Sequence, residues 1–126
     1  MNRTLVASLL LACCILIGIM TLTYIEHTCA DMIEITDDTI SAILTENQVQ
    51  LEKSISQSIK LLEKNRPFLN IITGQDETIE LRGNLNKAIF FCNCKEYDTA
   101  VLHLQEYKTT LNRIISSNEP TISTIF

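Results

Sequence analysis

Leu5-Val6-Ala7-Ser8-Leu9-Leu10-Leu11-Ala12-Cys13-Cys14-Ile15-Leu16-Ile17-Gly18-Ile19-Met20-Thr21-Leu22-Thr23-Tyr24-Ile25 runs for 21 residues without a charge. A helix of that length rises about 31 Å, which matches the ~30 Å hydrocarbon core of a bilayer. Lipid offers the backbone no hydrogen bonds, so an isolated span must be helical. Tyr24 stands where an interfacial aromatic is expected. Gly18, Ala7, Ser8 and Ala12 read as ordinary lipid-facing small residues. The sequence therefore divides into a membrane anchor over residues 1–25, spanning about 5–25, and a soluble domain over residues 26–126.

Orientation follows from the flanking charges. Arg3 precedes the run, and no Lys or Arg follows it until Lys53. Cytoplasmic flanks are enriched in Lys and Arg, which places the N-terminus in the cytoplasm and the domain outside. Two processing routes compete with a retained anchor. Thr28-Cys29-Ala30 has the small residues of a cleavage site, but the apolar run exceeds the usual length of a cleaved signal. Leu10-Leu11-Ala12-Cys13 resembles a lipidation motif, yet twelve uncharged residues follow Cys13 where polar sequence is the rule.

The remainder has the composition of an ordinary soluble protein. All 15 acidic residues and nine of the 10 basic ones lie beyond the run. Nucleic-acid affinity comes mainly from Lys and Arg on phosphates, so an acidic domain without a basic stripe argues against that class. It argues equally against a polybasic contact with lipid headgroups.

Four amphipathic stretches follow the anchor. The first covers about Cys29 to Leu44, with Met32, Ile33, Ile40, Ile43 and Leu44 as its apolar positions, and can continue directly from the anchor. The second covers about Gln48 to Lys64, with Leu51, Ile55, Ile59 and Leu62 inward and Asn47 as turn or cap. Asn65-Arg66-Pro67 is expected to end it, because proline cannot continue the hydrogen-bond ladder. Phe68, Leu69, Ile71 and Ile72 then form a short apolar patch before a break at Thr73-Gly74-Gln75-Asp76. The third helix is expected from about Glu77 to Phe91, with Ile79, Leu81, Leu85, Ala88 and Ile89 inward; Gly83 inside it implies close packing or a local break. The fourth is expected from about Lys95 to Ile115 on Tyr97, Ala100, Val101, Leu104, Leu111, Ile114 and Ile115, followed by a tail over residues 116–126.

Asn47, Leu51, Ser54 and Ile55 recur 46 positions later as Asn93, Tyr97, Ala100 and Val101. A large apolar residue with a small one three positions on suits stacked helical hairpins. The expected fold is all-α: a transmembrane helix followed by a small antiparallel four-helix domain of two repeat-like hairpins.

The chain resembles a bacterial family, the domain of unknown function 4363, whose members are short anchored helical proteins mainly of Firmicutes. The resemblance rests on the anchor, the Gln48 to Lys64 helix, Asp76-Glu77-Thr78-Ile79-Glu80-Leu81, Tyr97-Asp98-Thr99-Ala100 and the closing Thr124-Ile125-Phe126. Many members carry Trp near the end of the second helix, where this chain has Phe68 and no Trp anywhere. The resemblance implies architecture and carries no activity.

Candidate chemistry is sparse. Cys13 and Cys14 fall in the anchor, leaving Cys29, Cys92 and Cys94, an odd set for a disulfide framework. Cys92-Asn93-Cys94 lacks the C-x-x-C spacing of common zinc and redox sites, even with His103 as a third ligand. His27 and Cys29 are two apart and face different ways on a helix. Asp37-Asp38 and Asp76-Glu77 sit near helix starts or exposed faces, where acids suit the helix dipole. No phosphate loop, nucleophile elbow or zinc-protease motif occurs. The expectation is a non-catalytic protein-interaction module at the outer face of the cytoplasmic membrane, with no cofactor and no metal. Its partners are lipid through Leu5–Ile25 and a protein touched by Phe68, Tyr97 and Tyr107. The alternative is a domain binding a small ligand outside the cytoplasm.

Overall fold

A computed structural model describes the chain from Asn2 to Ile125, with side chains from Asn2 to Ser117. It forms α1 (Asn2–Leu44), α2 (Gln48–Thr73), α3 (Gln75–Asn93) and α4 (Tyr97–Ile125), with no strand among the described residues. The all-α expectation is met.

Two helices run further than the sequence predicts. Proline at position 67 was expected to stop α2, yet the helix continues through it to Thr73. Interior proline costs about 3 kcal/mol through its lost N–H and its clash with the preceding turn. The residues beyond it offset that cost. Leu69 is fully buried, and Phe68 packs on the core. The Pro67 ring itself faces solvent. The predicted tail is also helical, since α4 extends to Ile125 through Pro120; no described contact explains this extension.

Each helix packs against the next, and α4 returns to α1, so four helices surround a common interior. The buried positions alternate at intervals of three and four. They include Ile25, Cys29, Met32, Thr36, Thr39 and Ala42 in α1, and Leu51, Ser54, Ser58, Leu62, Asn65 and Leu69 in α2. In α3 they include Thr78, Leu81, Leu85, Ala88 and Cys92, and in α4 Ala100, Leu104, Tyr107, Leu111 and Ile114. That alternation is the seam of coiled-coil-like bundles. The large core cluster joins Ile25, Cys29 and Met32 to Leu62, Leu69, Leu81, Leu85, Tyr107, Leu111 and Ile114. A smaller one joins Ala42, Leu51, Cys92 and Ala100.

The inward face of α1 is not the one its isoleucines suggest. Ile33, Ile40 and Ile43 are only half-buried and Leu44 is exposed, while Thr28, Thr36 and Thr39 are buried. Thr36 and Thr39 donate their hydroxyls to the carbonyls of Met32 and Ile35 at 2.8 and 2.9 Å. Bonded back to the helix in this way, a threonine turns a methyl to the core and leaves no polar group unpaired. Ile59 and Ile79, also expected inward, are exposed.

The α1–α2 and α3–α4 turns share one geometry. Glu46 and Lys95 take φ of 56° and 60°. Asn47 N–H reaches Ala42 O at 3.0 Å and Glu46 N–H reaches Ile43 O at 3.2 Å. Glu96 N–H reaches Phe91 O and Lys95 N–H reaches Cys92 O at 2.9 and 3.1 Å. Both are Schellman C-caps built on a residue other than glycine. Equivalent turn residues stand 49 apart, three more than the spacing read from the sequence. Leu51 therefore corresponds to Ala100, not to Tyr97. Asn47 also caps α2, accepting from Gln50 N–H at 3.1 Å.

The α2–α3 connection is Gly74 alone, at φ 92° and ψ 164°. Those angles are essentially reserved for glycine. A Cβ there would meet nothing within 4 Å, and the same holds at Gly83. Gly83 is thus explained neither by close packing nor by a break, since α3 is continuous through it. The two glycines should respond in opposite directions. Gly74→Ala is expected to destabilise by about 1–3 kcal/mol through backbone strain. Gly83→Ala is expected to stabilise by about 1 kcal/mol through helix propensity. Chemical denaturation of both variants checks the signs.

Candidate functional site

The most conspicuous surface is the first half of α1. Every residue from Asn2 to Met20 is exposed, including Leu5, Leu9, Leu10, Leu11, Leu16 and Ile17. Packing begins earlier than residue 26: Thr21 and Leu22 are half-buried, and Ile25 is 1 % exposed inside the core. The apolar stretch of α1 is long enough to cross a membrane and is uncovered over its whole window. A core helix of similar composition would be covered, and large uncovered apolar surfaces mark interaction sites.

The residues expected to meet a partner lie in three different settings. Phe68 is half-buried, edge-on to Tyr24 with ring centroids 4.9 Å apart. The Tyr24 hydroxyl donates to Asn65 Oδ1 at 2.9 Å. Asn65 is buried and donates to Leu61 O, so its orientation is fixed. Tyr97 is half-buried against the smaller cluster at the opposite end of the bundle. Tyr107 is 1 % exposed in the centre of the core and presents no surface to a partner.

Around the α1–α2 and α3–α4 turns, sequence periodicity missed Val49, Phe90 and Leu102 and placed Leu44 on the apolar stripe. Leu44, Val49, Phe90 and Leu102 are all exposed at this end of the bundle. Phe90 stands edge-on to Phe91, which stacks on His103 with centroids 5.4 Å apart. The signal for Val49, Phe90 and Leu102 is that of hydrophobic residues near turn residues, outside the three-four alternation.

The cysteine–histidine set does not converge. Cys92 is buried in the smaller cluster, while Cys94 is exposed in the turn. No group of three or more His, Cys, Asp or Glu able to hold a metal occurs among the described residues. His27 is exposed and Cys29 is buried, on different faces of α1. One acid of each pair bonds to another helix. Asp37 bonds Lys108 across α1 and α4, and Arg113 reaches Glu77 and Glu80 at 3.4 and 3.2 Å across α4 and α3. Exposed pairs of this kind contribute about 0.2–1 kcal/mol each.

Burial raises the Cys29 thiol to about 11 from an ordinary 9.0 and holds the Tyr107 phenol well above its usual range. Both groups fold in their neutral forms. A raised folded pKa means stability that is complete below the unfolded pKa and is lost as pH rises toward the folded one. The thermal midpoint is therefore expected to fall between pH 9 and about 11 as Cys29 ionises preferentially in the unfolded chain. A Cys29→Ala variant should show a shallower fall over the same interval.

An apolar crevice opens between α1 and α2, lined by Ile17, Met20, Thr21, Tyr24, Lys64, Asn65 and Phe68. It lies where the uncovered half of α1 enters the bundle. A more polar one, lined by Asp38, Asn47, Val49, Gln50, Lys53, Ser54 and Gln57, lies near the first turn.

No family model matches this chain, and no curated protein or solved structure matches it either. The resemblance to the domain of unknown function 4363 thus stands on the quoted residues alone.

Proposed function

We propose that the chain is a membrane-anchored, non-catalytic interaction module at the outer face of the cytoplasmic membrane. Its first half-helix holds two hairpins, α1–α2 and α3–α4, next to the bilayer. The observation that carries this reading is the wholly uncovered apolar half of α1, continuous with a packed bundle. An aqueous monomer leaving that surface bare is disfavoured at about 25 cal/mol per Å². Retention of the anchor is supported by the core itself. Cleavage near Ala30 would strip Ile25 and Cys29 from the large cluster. Arg3 supports a cytoplasmic N-terminus. The matching Schellman turns support reading the hairpins as repeats. The exposed Leu44, Val49, Phe90 and Leu102 support a protein partner at the end farthest from the anchor.

Cys94 provides the test. It is exposed in the α3–α4 turn, whereas Cys29 and Cys92 are buried and Cys13 and Cys14 lie in the anchor. A membrane-impermeant maleimide is expected to label intact cells at Cys94, and a Cys94→Ser variant should lose that labelling. Labelling only after permeabilisation would reverse the orientation. Recovery of the whole protein in the soluble fraction would end the membrane reading. Photo-crosslinkers at Val49 and Leu102 should capture a discrete protein; crosslinking to lipid alone would remove the partner.

A further inference from the structure

We propose that the base of the bundle is immersed in the lipid interface, with Tyr24, Phe68 and Ile71 against acyl chains. This rests on the membrane reading above and goes beyond it, since a tethered domain needs no lipid contact of its own. The first argument is length. Ile25 belongs to the protein core, and the unbroken exposure of α1 ends at Met20, with Thr21 and Leu22 half-buried. The apolar stretch exposed on every face is then Leu5–Met20, about 24 Å of helix against a hydrocarbon core of ~30 Å. A span that short thins the bilayer or draws its flanks into it.

The second argument is level. Ala42 clusters with Leu51, and Tyr24 bonds Asn65, so α2 runs back along α1 toward the anchor. Ile71 lies six residues beyond Asn65, about 9 Å nearer the anchor. That sets it beside the stretch of α1 that ends at Met20. Ile71 is 82 % exposed, Ile72 is also exposed, and Phe68 is half-buried beside them. The apolar α1–α2 crevice opens at this same level, with the exposed Lys64 among its lining residues. A lysine at such an edge lays its stem on apolar surface and lifts its ammonium to the phosphates. The apolar edge is thus continuous with the span. The acidic first turn of α3, Asp76 and Glu77, follows directly on Gly74 at this same end of the bundle, with Glu77 paired to Arg113, so the acyl-chain contact is confined to the α1–α2 edge.

The chain contains no Trp, so single substitutions report depth cleanly. Full-length Leu10→Trp, Ile71→Trp and Leu102→Trp would be reconstituted separately in phosphatidylcholine vesicles carrying bromine on the acyl chains. All three positions are exposed, so the fold tolerates the ring. The expected result is quenching of Leu10→Trp by mid-chain bromine, and quenching with a blue shift of Ile71→Trp by bromine near the carbonyl. Leu102→Trp should be unquenched. If Leu10→Trp is quenched and Ile71→Trp behaves as Leu102→Trp does, the immersed base is overturned and the anchor stands. If Leu10→Trp is also unquenched, the membrane reading falls and takes this inference with it.

Discussion

Tyr107→Ala is expected to destabilise the bundle by about 3–5 kcal/mol, the usual cost of truncating a buried aromatic. Tyr107→Phe is expected to stabilise it by roughly 1 kcal/mol, a change of opposite sign at one position. Tyr107 sits among Cys29, Leu111 and Ile114 in the large cluster, and its hydroxyl has no hydrogen-bond partner among the described residues. A buried hydroxyl without a partner has given up water and gained nothing in return. Removing the oxygen relieves that penalty and leaves the ring, whereas removing the ring leaves a cavity at the centre of four helices. Domains of this size are stable by only about 5–15 kcal/mol, so the alanine variant loses a large share of the total. Urea unfolding of both variants checks the pair. A phenylalanine variant less stable than the parent would show that the hydroxyl is satisfied.

Leu10→Arg combined with Leu11→Arg is expected to release the protein from the membrane without loosening its fold. Each arginine near the middle of a span costs about 2.5–3.5 kcal/mol to insert, so the pair opposes insertion by roughly 5–7 kcal/mol. Leu10 and Leu11 are 62 % and 63 % exposed and belong to neither core cluster. The unfolding midpoint of the bundle should therefore stay where it is. Carbonate extraction of membranes reads the first effect, and near-ultraviolet circular dichroism on heating reads the second. A double variant that still pellets with membranes would mean that something other than this apolar helix holds the chain there.

Much of the architecture is written in local signals. Asn47 and Gly74 mark helix breaks because each offers the backbone something specific, an N-cap oxygen and a glycine-only conformation. In α4 the alternation of Ala100, Leu104, Leu111 and Ile114 can be read directly, since large apolar residues fall on one face. What escapes such reading depends on tertiary partners. A threonine that bonds its own helix counts as polar on any hydropathy scale, so the inward stripe of α1 is invisible until Thr36 and Thr39 are seen closing on Met32 and Ile35. Pro67 is a strong local stop, and only the anchoring of Phe68 and Leu69 by distant helices overrides it. The candidate site divides in the same way. The apolar run announces its own exposure requirement, because 21 uncharged residues exceed what a bundle this small can cover. The aromatics give no such signal: Phe68 and Tyr107 look alike in sequence, and their different depths follow from where four helices happen to converge.

The unbroken backbone of α1 from Asn2 to Leu44 leaves no hinge between the uncovered segment and the packed one. Flexible tethers let a domain sweep a wide volume; a single shaft fixes both its height and its heading. From Ile25 to Leu44 the shaft rises about 29 Å, and on the membrane reading proposed above this sets how far from the lipid the apolar rim is displayed. Any twist or lean imposed on the buried end reappears in full at that rim, so a partner bound there would feel the state of the bilayer as a change of direction.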